Sequence, residues 1–213
     1  GATNEVWEVE IEAIGPGGEP APFEGFVNLS VRPGAVVSVQ NEDGEDLGKN
    51  LRLSGGKASA QVTVTAVYGE ARLWVEDLGY EKAPDGETPL CANGVNDDPD
   101  DDVFVDYPSD PGCAFADDNS ELAGSFAAGT SPAVHHELPS IQNIQGTGST
   151  TPYPFESISV NTAGPHQLIV TRYAKDGFYV TDLAGEDEGF NHLFVFTFST
   201  PSNLRPCDRV TYL

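Results

Sequence analysis

Between Lys82 and Arg172 this chain has no lysine or arginine, and Cys91 and Cys113 bracket the most acidic part of that interval. Carboxylates in so long a stretch without a basic side chain cannot be neutralised by salt bridges from within it. They stay in water or take a cation. The run from Asp98 reads Asp-Pro-Asp-Asp-Asp-Val-Phe-Val-Asp, so Asp98, Asp100, Asp102 and Asp106 stand at positions 1, 3, 5 and 9. Alternate residues of a tightly curled loop turn their side chains towards one centre. Hard oxygens can meet Ca2+ there at about 2.3–2.6 Å, with backbone carbonyls and water completing about 6–8 ligands. Asn96 opens a second register through Asp98 and Asp100, and Asp110 follows as a further candidate ligand. Downstream, Asp117, Asp118 and Glu121 are spare carboxylates. Oxygen-only donors favour calcium over zinc or copper, and magnesium tends to keep its waters. The competing reading is a solvated acidic linker, the usual fate of a charge run. Val103 also stands where an EF-type loop has glycine.

Pairing Cys91 with Cys113 would restrict the unfolded loop by about 3 kcal/mol in the chain-entropy account. It would imply an oxidising compartment; the alternative is two reduced thiols. Cys207 is left over, either as a buried free thiol or as a partner for something outside this chain.

The rest of the composition sets the fold class. With 213 residues, 23 glycines and 16 prolines, the chain suits one large or two small domains of short strands and many turns. Its net charge of −24, from 34 acidic against 10 basic residues, repels phosphate backbones and anionic lipid. No nucleic-acid partner is expected, and no apolar run approaches the roughly 20 residues of a transmembrane helix. The opening Gly-Ala-Thr-Asn, without methionine, fits a mature, processed or trimmed chain better than a complete gene product.

Residues 1–82 read as an immunoglobulin-like β-sandwich. Trp7, Val9, Ile11 and Ala13 alternate with Glu8, Glu10 and Glu12, the period of a strand with one wet face. Further strands are expected at Phe26–Val31, Ala35–Gln40, Ala60–Val67 and Ala71–Glu76, separated by Gly/Pro turns. Residues 83–125 form the disulfide-bridged aspartate-rich loop. Residues 133–213 return to strands, expected at Ser157–Val160, Gln167–Tyr173, Gly177–Thr181, Leu193–Ser199 and Asp208–Leu213. The strand pattern runs to Leu213 with no turn after it, so the expectation is an incomplete domain: either the chain ends early, or another segment or subunit supplies the missing edge.

The segment from Cys91 to Cys113, ending Asp106-Tyr107-Pro108-Ser109-Asp110-Pro111-Gly112-Cys113, resembles a cysteine-bracketed aspartate loop. That loop belongs to secreted proteins and lipoproteins of myxobacteria and related bacteria. It is also similar to the thrombospondin type 3 calcium loop. The resemblance covers roughly 30 residues and implies Asp98, Asp100, Asp102 and Asp106 as calcium ligands. This sequence departs from it in two extra residues after Cys91, in Asn93 and Asn96 for aspartate, and in Val103 for glycine. Gly177-Phe178-Tyr179-Val180-Thr181-Asp182 and Cys207-Asp208-Arg209-Val210 are similar to the first half of the OB-type β-barrel that accompanies some secreted bacterial nucleases. There the turn is Gly-Asp-Arg-Val, so Cys207 replaces a glycine. The fold implied is all-β: a sandwich, a calcium loop and a partial OB-like barrel.

Signals for catalysis are weak. His135-His136 lacks a third ligand at a convincing spacing, and His166 and His192 read as isolated surface residues. No Gly-x-Ser-x-Gly elbow occurs. Glu186 and Glu188 lie in a Gly-flanked loop where solvation explains them. Asn28-Leu29-Ser30 fits a glycosylation sequon. Near the C-terminus, Arg172, Lys175, Arg205 and Arg209 are outnumbered by acids, so the aromatic residues there are expected in a core rather than on a nucleic-acid groove. The expectation is a non-enzymatic, calcium-binding structural or adhesive protein, secreted or on the cell surface of a bacterium, with self-association or another surface protein as partner. The alternatives are an accessory fragment of a secreted hydrolase or nuclease, and a carbohydrate-binding module.

Overall fold

The computed structural model describes residues 4–97, 103–122, 124, 126–153, 157–185, 189–199 and 201–211. Among these the chain is all-β apart from one short helix and one 3-10 turn. It divides into two units, Asn4–Thr65 with Arg72–Ala133, and Ala66–Ala71 with Val134–Leu213.

In the first unit the alternation of apolar residues with glutamates produces β1 (Glu5–Glu12). It is followed by β2 (Gly25–Arg32), β3 (Ala35–Asn41), β4 (Asn50–Leu53), β5 (Lys57–Thr65), β6 (Gly69–Asp77, of which Arg72–Asp77 belong to this unit) and β7 (Gly129–Thr130). One antiparallel sheet runs β1-β5-β3 and the other β4-β2-β6-β7. The period of two turns Val27, Leu29 and Val31 of β2, Leu51 and Leu53 of β4, and Val62 and Val64 of β5 into the core. Setting β1 against the B strand of an immunoglobulin fold, β1-β5-β3 reads B-E-D and β2-β6-β7 reads C-F-G. β4 is added beside the C position. Most expected strands lie within two residues of the observed ones. The strand expected at Ala60–Val67 instead spans Lys57–Thr65, because Ala66 adopts φ 53 and turns the backbone away. At the neighbouring turn Gly56, at φ 80, is required: a Cβ there would sit 2.1 Å from the Ala21 carbonyl oxygen.

The second unit holds β8 (Val134–His136), α1 (Ile141–Gln145), β9 (Leu168–Ala174), β10 (Gly177–Asp182), β11 (His192–Phe196) and β12 (Arg209–Val210). β8 pairs with Gly69–Ala71 at the start of β6. Ser140 and Asn143 form a capping box that starts α1. The sheet order β11-β10-β9-β12 is a meander whose fourth strand returns beside the first, the Greek-key order of a half-barrel. An extra residue in β9, Thr171, lies opposite the Tyr179/Val180 step of β10 as a bulge and bends β9. Ile141, Val160, Leu168, Val170, Phe178 and Val180 make the core.

Three expectations change here. Ser157–Val160 is not a strand; only Val160 of that segment packs into the core. β11 stops at Phe196, and two residues later Phe198 takes φ 63, which no strand sustains. Finally Tyr179, Phe194, Phe196 and Phe198, expected inside, are exposed. Tyr179, Phe194 and Phe196 lie on the face of β10 and β11 opposite Val180, Leu193 and Val195, with Phe198 just past the end of β11; the rings pair as Tyr179–Phe194 and Phe196–Phe198 with centroids 5.0 and 4.6 Å apart.

Candidate metal centre

The acidic loop is the connection between β6 and β7. It is built around two fixed points. The first is the Cys91–Cys113 disulfide, which joins backbone positions 5.7 Å apart. The second is Asp118, fully buried, whose Oδ1 accepts from the Glu81 and Ser120 amides at 2.8 and 3.0 Å, and whose Oδ2 accepts from Ala114 at 3.0 Å. Burial pushes the Asp118 carboxyl above its ordinary value, and the three N–H donors pull part of the way back. Asp118 is thus a structural bracket, not a spare carboxylate. Its carbonyl also receives the Cys91 amide at 3.1 Å, tying the bracket to the bridge.

Asp106 shapes the loop's return. At φ 54 it adopts the left-handed conformation that aspartate tolerates better than most residues. Its Oδ1 accepts from the Asn93 amide at 3.0 Å and its Oδ2 from the Gly94 amide at 2.8 Å. Its carbonyl accepts from Ser109 and Asp110. Each carboxylate oxygen keeps a further lone pair. Asn96 is half-buried. Asp98, Asp100 and Asp102 lie outside the described residues.

Asp110 and Glu121 are the residues the fold brings together. Each is 3% exposed. Ligand atoms of Asp110, Glu121 and Cys113 all lie within 4.8 Å of one another. The sulfur of Cys113 is committed to the disulfide, so the usable donors are carboxylate oxygens, which suit a hard cation. Asp110 Oδ1 accepts from the Gly112 amide at 2.7 Å, whereas Oδ2 is buried and accepts no hydrogen bond among the described residues. A Glu121 carboxylate oxygen accepts from the Asp97 amide. The close approach depends on Gly112: a Cβ there would lie 1.8 Å from the Glu121 carbonyl oxygen. Two unit charges within 4.8 Å of one another repel by at least about 3.5 kcal/mol at an effective dielectric of about 20. No lysine or arginine within the cation-free interval is available to relieve this.

Asp110 was legible from the sequence as a ligand candidate; Glu121 was visible only as a spare carboxylate, because its partnership with Asp110 is made by the fold and not by spacing. The other candidates find ordinary roles. His135 Nδ1 lies 2.6 Å from Glu70 across the β6–β8 pair, exposed. His166, expected at the surface and isolated, is instead 2.7 Å from buried Asp182, and His192 Nδ1 is 2.6 Å from the Thr181 hydroxyl. The sequon residue Asn28 donates its amide to Asn50 Oδ1 at 2.8 Å across β2–β4. Glu186 and Glu188 lie outside the described residues. Cys207 is exposed and unbridged, at φ 74, a left-handed backbone region that favours glycine. No helix among the described residues is long and apolar enough to cross a membrane. Comparison with protein-family models, with curated proteins and with solved structures returned no match.

Proposed function

We propose that this chain is a secreted or cell-surface, non-enzymatic calcium-binding protein, in which calcium locks the disulfide-closed loop onto the β-sandwich. The observation that carries the reading is a buried Asp110 oxygen that accepts no hydrogen bond among the described residues, in a side chain whose carboxylate lies within 4.8 Å of a second buried carboxylate, Glu121. A buried carboxylate left so costs several kcal/mol unless a cation or donors compensate it. Asp106 and the aspartates at 98, 100 and 102 supply further hard oxygens in the same loop. A disulfide is compatible with an oxidising, extracellular compartment. The role that follows is structural or adhesive: an ion-stiffened loop presented to a partner.

A calorimetric calcium titration of protein stripped with EDTA tests this, with melting followed in parallel. Saturable heat with a raised melting temperature supports the reading. An absence of both returns residues 91–121 to a solvated linker. A second reading, an accessory carbohydrate-binding module, is favoured by the exposed aromatic face of Tyr179, Phe194 and Phe196 on which sugar rings could stack. Soluble polysaccharides that quench tyrosine emission in this chain, but not in a Phe194→Ser/Phe196→Ser variant, would support that module.

A further inference from the structure

We propose that the sandwich carries a strand-accepting slot between β1 and β7 that takes an extended polypeptide segment alternating apolar and basic side chains. In the correspondence with the immunoglobulin arrangement, the place beside β1 belongs to strand A. Among the described residues no strand pairs with β1 on that side: β1 is the edge of one sheet and β7 the edge of the other. The consequence shows in burial. Val62 and Val64 of the neighbouring strand β5 are fully buried, yet Val9 and Ile11 of β1, which face the same interior, stay half-exposed. Between the two edges opens a cleft of about 580 Å3. Its wall is formed by Val9, Ile11, Val27, Leu73, Val75 and Phe126. This is apolar surface inside a sandwich, bounded by a strand edge able to hydrogen-bond a further strand, the arrangement used in β-augmentation.

Charge selects the occupant. Glu8, Glu10 and Glu12 line the same cleft from β1, and Asp77 closes its other wall. Of these, Glu12 is paired to Lys57 at 2.7 Å. A strand laid along β1 projects alternate side chains to opposite faces. One set enters the apolar cleft, and the other lies beside the glutamate row. Apolar-basic alternation satisfies both, and acidic residues in the second set would be repelled. A second copy of this chain is a poor occupant, since its own net charge is −24.

The test uses three synthetic octapeptides: valine alternating with lysine, the same residues in two blocks, and valine alternating with glutamate. Binding is read by calorimetry, and backbone pairing by amide hydrogen exchange along β1. A blocking variant is Gly129→Trp, since a Cβ at this slot position meets nothing within 4 Å and its fold is expected intact. The proposal expects the alternating Val/Lys peptide to bind about tenfold or more tighter than either control. It also expects slowed exchange in β1 and loss of binding in Gly129→Trp. Equal binding of the blocked peptide would mean that bulk charge alone attracts lysine, and would overturn it. So would unchanged binding in the Gly129→Trp variant.

Discussion

Asp110→Asn should change stability in opposite directions with and without calcium. The substitution keeps an oxygen able to accept from the Gly112 amide and removes one of two buried charges whose ligand atoms lie within 4.8 Å. In EDTA the variant loses a repulsion of about 3.5 kcal/mol, taken at the 4.8 Å limit and an effective dielectric of about 20, and it gains an N–H that can point at Glu121. Part of that is offset by the relaxation available to the wild type, so a gain of about 1–2 kcal/mol is expected, or roughly 2–8 °C in melting temperature. In saturating calcium the order reverses. At a calcium concentration of about 100 times Kd, the wild type gains about 2.7 kcal/mol by linkage, and the variant, lacking one charged ligand, loses most of it. The assay is a pair of thermal melts, in EDTA and in calcium, on both proteins. A variant destabilised equally in the two conditions would refute the reasoning. Asp110 would then serve only as an acceptor for its own turn.

Other perturbations separate the remaining parts of the account. Replacing Cys91 and Cys113 together by serine should cost about 3 kcal/mol in urea denaturation, and should also weaken calcium binding, because the bridge holds Cys113 beside both carboxylates. Gly112→Ala should abolish calcium heat and lower the melting temperature, since the new Cβ meets the Glu121 carbonyl at 1.8 Å. Cys207→Gly should raise stability by about 1 kcal/mol, measured by the denaturation midpoint, by relieving a left-handed conformation at φ 74 in a side chain that is exposed. For Asp118 the sign of pH dependence is unusual for a carboxylate. Burial holds its folded value above the ordinary 3.8, so folding takes up a proton between the two values. Its contribution is greatest below the ordinary value and declines as pH rises through the folded one. The difference in urea midpoint between wild type and Asp118→Asn should therefore shift against the wild type over that window; a shift the other way contradicts it.

The strands of the sandwich were legible because half-buried strands carry their burial as a period of two: Trp7-Val9-Ile11 and Val27-Leu29-Val31 declare an inner face directly. The four-residue β4 was missed, since Asn50-Leu51-Arg52-Leu53 is too short for periodicity to stand out. β7 and β8 have no pattern of their own and exist by pairing with β6. The C-terminal aromatics were misplaced for a related reason. Alternation in Leu193-Phe194-Val195-Phe196 gives two apolar faces, and only packing decides that Leu193 and Val195 turn inward. At the site, the cysteine bracket marked the loop that holds Asp110 and Glu121, whereas the aspartate spacing at 98, 100 and 102 falls outside the described residues. The Asp110–Glu121 approach did not show, because it depends on the closeness of Gly112 to the Glu121 backbone and on the buried Asp118 bracket.

The most direct test is crystallographic: an anomalous difference map from crystals grown in calcium. The account predicts a peak about 2.3–2.6 Å from Asp110 Oδ2 and from a Glu121 carboxylate oxygen, completed by oxygen atoms of the 96–106 loop. A map with no density between those carboxylates, or with only a hydrogen-bonded water there, would contradict it.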